Sequence, residues 1–532
     1  MIPGRAPQLA PNTPFDWNLT TTPQLAINNR SVTVPRGFAL GGSSSINFMG
    51  YTRGTADDFN RYASMTGDEG WSWDNVQPYI RKNEKFLTAN SNLTQFEPSV
   101  HGFVGVNSVS LKSSPRREIE DRFIQTPQEI PEFPFNHDMN SGNHLGFGWV
   151  QATVGNGLRS SSATSYLGPE FINRSNLNVL VNTRATRLLR ANRSLTFSEV
   201  ELTQDGGRTF QTVTASKEII LSAGSIMSPH VLLHSGIGDS DELAAVGIDV
   251  VHHLPSVGKN LTEHPVLTDG YQINSNDTFD EANRNPVLAA EQLNEWTLNK
   301  TGLLADTPLV MMGWLRVNES AEIFDRFSDP AAGNSTAHFE LFFINSFIGP
   351  VPPTGNFMAV GAAVVSPSSR KILHYLEKSS IQPYCPNADG AVTLNSSNPL
   401  DHPVIDFHLL RSELDRFIMR EAIRSVKRLF SAPAWDGFII ASPTNATTDE
   451  ELDQYINTKA TGLFHPVGSV AMSARGASWG ALDPDLKVKG VKGLRVVDSS
   501  IFPKMPTAHT QVPTYIVAER AADLIKETWF GA

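Results

Sequence analysis

Apolar positions recur along the 532-residue chain with two different periods. Over residues 177–189 and 199–222 they alternate on either side of Asp205-Gly206-Gly207, which predicts strands around a turn. Residues 357–365 and 390–394 predict two further strands, the first apolar throughout and the second alternating. Between 410 and 430 the spacing becomes helical, through Leu414, Phe417, Ile418, Ala422, Val426 and Leu429. A short apolar run over 494–497 predicts a buried strand ending at Asp498, and residues 513–526 predict a closing helix. The β-branched stretch 217–222 runs straight into Ala223-Gly224-Ser225, and the helix that follows is closed by Ser235-Gly236-Ile237-Gly238. The pattern predicts a mixed α/β protein with a substantial antiparallel sheet.

Small residues at a strand-to-helix junction let backbone approach a flat or phosphorylated ligand closely. A second small-residue block, Pro35-Arg36-Gly37-Phe38-Ala39-Leu40-Gly41-Gly42-Ser43-Ser44-Ser45-Ile46-Asn47, exposes backbone N–H groups and hydroxyls suited to a pyrophosphate and a ring edge. It continues through Arg53-Gly54 and Asp57-Asp58-Phe59 to Gly70-Trp71-Ser72-Trp73. Two histidines stand on separate short loops, Phe464-His465-Pro466-Val467-Gly468 and Ala508-His509-Thr510-Gln511. An imidazole that titrates near neutrality suits removal of a hydroxyl proton.

Together these blocks resemble the glucose-methanol-choline family of flavin-dependent alcohol oxidoreductases, most closely its fungal aryl-alcohol oxidase branch. The resemblance implies FAD as cofactor. It implies His465 as the base and His509 as the group that hydrogen-bonds the developing alkoxide. It also implies cofactor contacts from Gly41, Gly42, Ser43, Ser44, Asn47, Ala185, Ala223, Asp498, Ser499, Thr510 and Gln511. Phe48, Phe347 and Phe464 are candidates for an aromatic substrate funnel, and no metal is implied. Two positions depart from the pattern: Phe38 replaces a usual basic residue and Ser499 a usual glycine. The implied reaction oxidises aromatic or allylic primary alcohols to aldehydes and reduces O2 to H2O2, as in lignin degradation. A quinone-dependent dehydrogenase, a lyase acting on aromatic cyanohydrins and an inactive paralogue are the alternatives.

The family opens with a strand, a G-x-G-x-x-G turn and a helix that clamp the adenosine diphosphate half of FAD. These residues contain no G-x-G-x-x-G. The expectation is therefore a Rossmann-like FAD-binding domain lacking its first βαβ unit, built from residues 1–60, 150–268 and 460–532. Residues 61–149 and 269–459 would form a substrate domain with a large antiparallel sheet flanked by helices. Residues 371–389 fit no pattern, hold the single cysteine, Cys385, and read as a retained intron.

Composition narrows the partners. With 40% hydrophobic and 18% charged residues the chain is ordinary globular protein, and a net charge of −11 argues against nucleic acid. No apolar run is long enough to span a membrane. Twelve Asn-x-Ser/Thr acceptors spread along the chain favour a secreted glycoprotein. Met1-Ile2-Pro3-Gly4-Arg5 is not followed by the apolar core of a signal peptide. The expected partners are a small alcohol and an electron acceptor, on a monomer.

Overall fold

The structure is a computed structural model that describes residues 2–88, 95–192, 194–368 and 390–531. The suspected insertion at 371–389 lies outside the described residues. Helix α1 (Ala56–Thr66) starts at a capping box, in which Thr55 and Asp58 satisfy each other's backbone N–H, and stops at left-handed Gly67. Helix α2 (Trp73–Asn83) follows after a short turn. Then come β1 (Gly146–Trp149) and a three-stranded antiparallel unit of β2 (Arg184–Arg190), β3 (Phe197–Thr203) and β4 (Gln211–Thr214). Strand β5 (Ile219–Leu221) leads into helix α3 (Gly224–His234).

The strand expected over 177–189 forms only from Arg184 onward. Residues 177–183 have no partner strand, and Leu180 and Val181 are 59% and 49% exposed. The stretch 199–222 divides into three strands because Asp205 closes the hairpin, accepting from the backbone N–H groups of Arg208 and Thr209 at 2.9 Å each.

The second half builds the large sheet from β6 (Pro265–Ile273), β7 (Leu309–Leu315), β8 (Phe339–Ile344) and β9 (Asn356–Val364). Short strands β10 (Ile439–Ala441) and β11 (Thr461–Gly462) pair with β6 at its two ends. The order is β10-β6-β9-β8-β7-β1, antiparallel throughout, with β11 beside the start of β6. Helix α4 (Glu413–Leu429) lays Leu414, Ile418, Ala422, Val426 and Leu429 on one face of this sheet. Each of these leucine, isoleucine and valine side chains contributes ~1.5–3 kcal/mol on burial.

Period-2 alternation assigns the two faces. Phe339, Leu341 and Phe343 of β8 belong to the core under α4. Phe342 and Ile344 join Met312 and Trp314 of β7 on the opposite face, and Glu340 shares their parity.

The remaining strand, β12 (Leu494–Val496), pairs in parallel with β5, and the closing helix α5 (Gln511–Phe530) packs on α2. One core joins α1, α2, α3 and α5 around β5 and β12. Tyr62, Trp71, Val76 and Ile80 share their core with Val496 and Ile516. The reason is the apolar face of α2, which α5 covers.

Candidate active site

Strand pairing sets the His465 loop beside His264. Because β11 pairs with the start of β6, Leu463 N–H donates to the His264 carbonyl at 2.9 Å, and Glu263, His264 and His465 become neighbours. His264 Nδ1 and His465 Nδ1 lie 3.1 Å apart. The rings of His465 and His509 have centroids 4.8 Å apart. If His465 donates from Nδ1 to His264, its Nε2 keeps the lone pair a base requires. Burial, then the neighbouring imidazoles of His509 and His264, hold His465 well below the usual histidine range. Burial brings His264 down to about 3.

Phe464 adopts φ +67°, an unfavourable conformation for a side chain of its size. Two side chains hold it there. Arg36 donates to the Phe464 carbonyl, and Glu263 Oε1 accepts from the backbone N–H groups of His465 at 2.8 Å and His264 at 2.9 Å. Burial pushes Glu263 up to about 8.

His509 stands just before α5. Its Nε2 lies 2.9 Å from Glu340 Oε1, and Glu340 is fully buried. A Cβ on Gly50 would come within 2.9 Å of His509 Nδ1, so that close approach requires glycine. Trp314 packs edge-on to His509 at 6.3 Å, with His144 stacked behind it at 4.5 Å.

The Gly-Ser loop meets the start of α5. Asn47 Nδ2 donates to Gln511 Oε1 at 2.8 Å, and Arg159 Nη1 donates to Asn47 Oδ1 at 2.6 Å. Gly37 N–H donates to Ser43 Oγ at 3.1 Å, and a Cβ there would overlap the Gly42 backbone at 2.2 Å. Ser44 Oγ donates to the Gly41 carbonyl at 2.6 Å. Gly41 and Gly42 take φ +85° and +52°. Thr510 is the N-cap of α5, with no side-chain cap bond of its own.

Asp498 is saturated by protein donors. It accepts from Gly224 N–H at 2.8 Å, Ser228 Oγ at 2.5 Å and Ser500 N–H at 2.8 Å, locking β12 to the start of α3. Ser499 Oγ lies 2.6 Å from Ser225 Oγ. Ala223 is exposed at the head of α3, and Ala185 is exposed on β2 opposite Leu202.

The three aromatic candidates separate. Phe48 packs with Leu463 on the cluster of Met312, Trp314 and Phe342, and Phe464 is held in the histidine loop. Phe347 packs against Phe357 near Gly270, further along β6, and not against the histidines. Phe38 is exposed, edge-on to Trp17 at 4.6 Å.

The residues fit a flavin at one end. A Cβ at Gly42 or Gly224 would meet no protein atom within 4 Å, so a ligand could approach either backbone without displacing protein. The start of α5 favours negative charge there. The sequence, however, contains no G-x-G-x-x-G to grip adenosine diphosphate.

Sequence reasoning missed Glu263, His264, Glu340, Arg36 and Arg159. Only Glu340 carried a signal, as a lone acidic residue in the apolar run Phe339-Glu340-Leu341-Phe342-Phe343-Ile344.

Two neighbouring imidazoles, one of them just before α5, suit proton removal from a hydroxyl group, and the family the chain matches makes it an FAD-dependent oxidoreductase acting on alcohol or sugar donors. The chain belongs to the GMC oxidoreductase family, whose N-terminal model matches residues 18–266 and whose C-terminal model matches 386–518. It is 39% identical to pyranose dehydrogenase of Agaricus campestris, covering 99% of this chain and 87% of that protein. Dehydrogenase eriK of Hericium erinaceus is 37% identical, covering 96% of this chain and 85% of its own length. Among solved structures, formate oxidase of Aspergillus oryzae superposes with TM-score 0.88 at 26% identity, over 99% of this chain and 91% of that one. A fungal aryl-alcohol oxidase shares the fold at TM-score 0.81 and 23% identity, over 98% and 90%.

Proposed function

We propose that the chain oxidises a primary aromatic or allylic alcohol to the aldehyde. His465 takes the hydroxyl proton on Nε2 while its Nδ1 side is held by His264. His509 donates to the developing alkoxide, and the buried Glu340 holds its Nε2 side in place. FAD would supply the hydride acceptor, with O2 as the final electron acceptor. Gly41, Gly42, Asn47 and Gln511 would hold the ring, and the packed Phe48, Leu463 and Trp314 would supply an apolar wall against water. The observation that carries the reading is the pair of imidazoles 4.8 Å apart against that wall.

A second reading, oxidation of a sugar with a quinone as acceptor, is supported by the 39% identity to pyranose dehydrogenase. Anaerobic mixing of the flavin-loaded chain with 4-methoxybenzyl alcohol and, separately, with glucose discriminates them. Bleaching of the flavin band by the aromatic alcohol supports the first reading, and bleaching by glucose alone overturns it. The twelve glycosylation acceptors support an extracellular enzyme, which a mass decrease on enzymatic deglycosylation of the native protein would test.

A further inference from the structure

Four arginines are buried among the described residues: Arg53, Arg159, Arg495 and Arg520. Three of them pair with a carboxylate, Arg53 with Glu84, Arg495 with Glu218 and Arg520 with Asp68. Arg159, 2% exposed, has no such partner. Its Nη1 donates to two neutral oxygens, Asn47 Oδ1 at 2.6 Å and the Ser44 carbonyl at 3.2 Å, while Nε and Nη2 find no acceptor. Burial draws Arg159 down to about 10, and burial likewise keeps the neighbouring Tyr515 phenol protonated. A buried cation without a counterion is among the costliest groups a protein can hold.

The place of that charge gives it a use. Arginine only donates, so Asn47 must turn its oxygen toward Arg159, and Met49 N–H donates to the same oxygen at 3.1 Å. The Asn47 amide group is thereby fixed, one hydrogen on Gln511 and the other free for a ligand. The head of α5 adds a second positive element beside it.

We propose that Arg159 is the fixed positive charge of the flavin pocket, presented through Asn47, and that it favours the flavin forms carrying negative charge on the ring. Arg159 is a positioning and electrostatic residue, and this role rests on the flavin reading above.

Sulfite tests it without turnover. Its sulfur lone pair forms a bond to flavin N5, and the displaced ring electron pair settles as negative charge over N1 and the C2 carbonyl. In the FAD-loaded full chain, Arg159→Gln is expected to weaken sulfite binding at least tenfold, equivalent to about 30 mV for a two-electron couple. Arg159→Lys, which keeps the charge, is expected to recover most of that loss. An Arg159→Gln protein that binds flavin and takes sulfite within twofold of the parent overturns the proposal alone. A parent chain that takes up no flavin overturns the flavin reading and this proposal with it. The apoprotein gives an independent measurement: Arg159→Met is expected to melt at or above the parent temperature, because a charge without a counterion is removed. A melting temperature lowered by several degrees would make Arg159 a structural strut and overturn the proposal.

Discussion

The two ends of the flavin-facing region are built very differently. At the histidine end charged and polar side chains hold the backbone and the rings in place. Glu263 holds the backbone of His465, Arg36 holds Phe464, Glu340 holds His509, and strand pairing ties the His465 loop to the large sheet. At the nucleotide end Leu180, Val181 and Ile220 are exposed, Ala185 and Ala223 face outward, and Asp498 is spent on joining β12 to α3. The contrast separates two tasks, since a reaction centre must be rigid to a fraction of an ångström while a nucleotide anchor supplies binding energy from a distance. The first task is met here by side chains anchored on the large sheet.

The largest expected effect lies at the histidine end. His465→Ala should retain flavin yet lose flavin reduction by alcohol by ~10²–10⁴-fold, the range of general-base catalysis. His509→Ala should lose ~10²–10³-fold, as for removal of one oxyanion donor. His509→Asn should be milder because an amide still donates. Anaerobic stopped-flow reduction measures all three, and parent-like rates in His465→Ala would place the chemistry elsewhere.

Next comes acid sensitivity, which both ends share. His230 and His234 on α3 have Nε2 atoms 3.2 Å apart, and burial brings them down to about 3 and about 4. The unfolded chain binds protons below about pH 6.5 that the native histidines refuse, so their contribution is intact above that pH. It falls as pH drops from 6.5 toward 4, costing roughly 3 kcal/mol for His234 alone. Denaturant melts across pH 4–7 should show this slope, and His234→Gln should flatten it. An unchanged slope would mean these imidazoles titrate normally.

A smaller effect probes the nucleotide end. If that end contributes little, the 532-residue chain should prefer FAD over FMN by less than ~10-fold, or ~1.4 kcal/mol. FAD that survives desalting at full stoichiometry while FMN is lost would erase the contrast between the ends. The smallest effect expected is for Phe347→Leu. Its ring packs on Phe357 away from the histidines, so flavin reduction should change by less than twofold. A tenfold change would return Phe347 to the substrate path.

What the amino-acid order determined by itself is local. Glycine and serine runs, histidines set in short loops and apolar runs of the right period mark the flavin loop, both histidines, α4, α5, β9 and β12, because turn chemistry and periodicity act over a few residues. The strand expected over 177–183 failed for the complementary reason, since a strand exists only where a neighbour accepts its hydrogen bonds. Tertiary structure alone decided the rest of the site. Glu340 sits in a strand buried on both faces, where period 2 says nothing about which face is functional. Arg159 and Asn47 are 112 residues apart, and Glu263 and His465 202 apart, so only the closed fold could reveal that each positions the other.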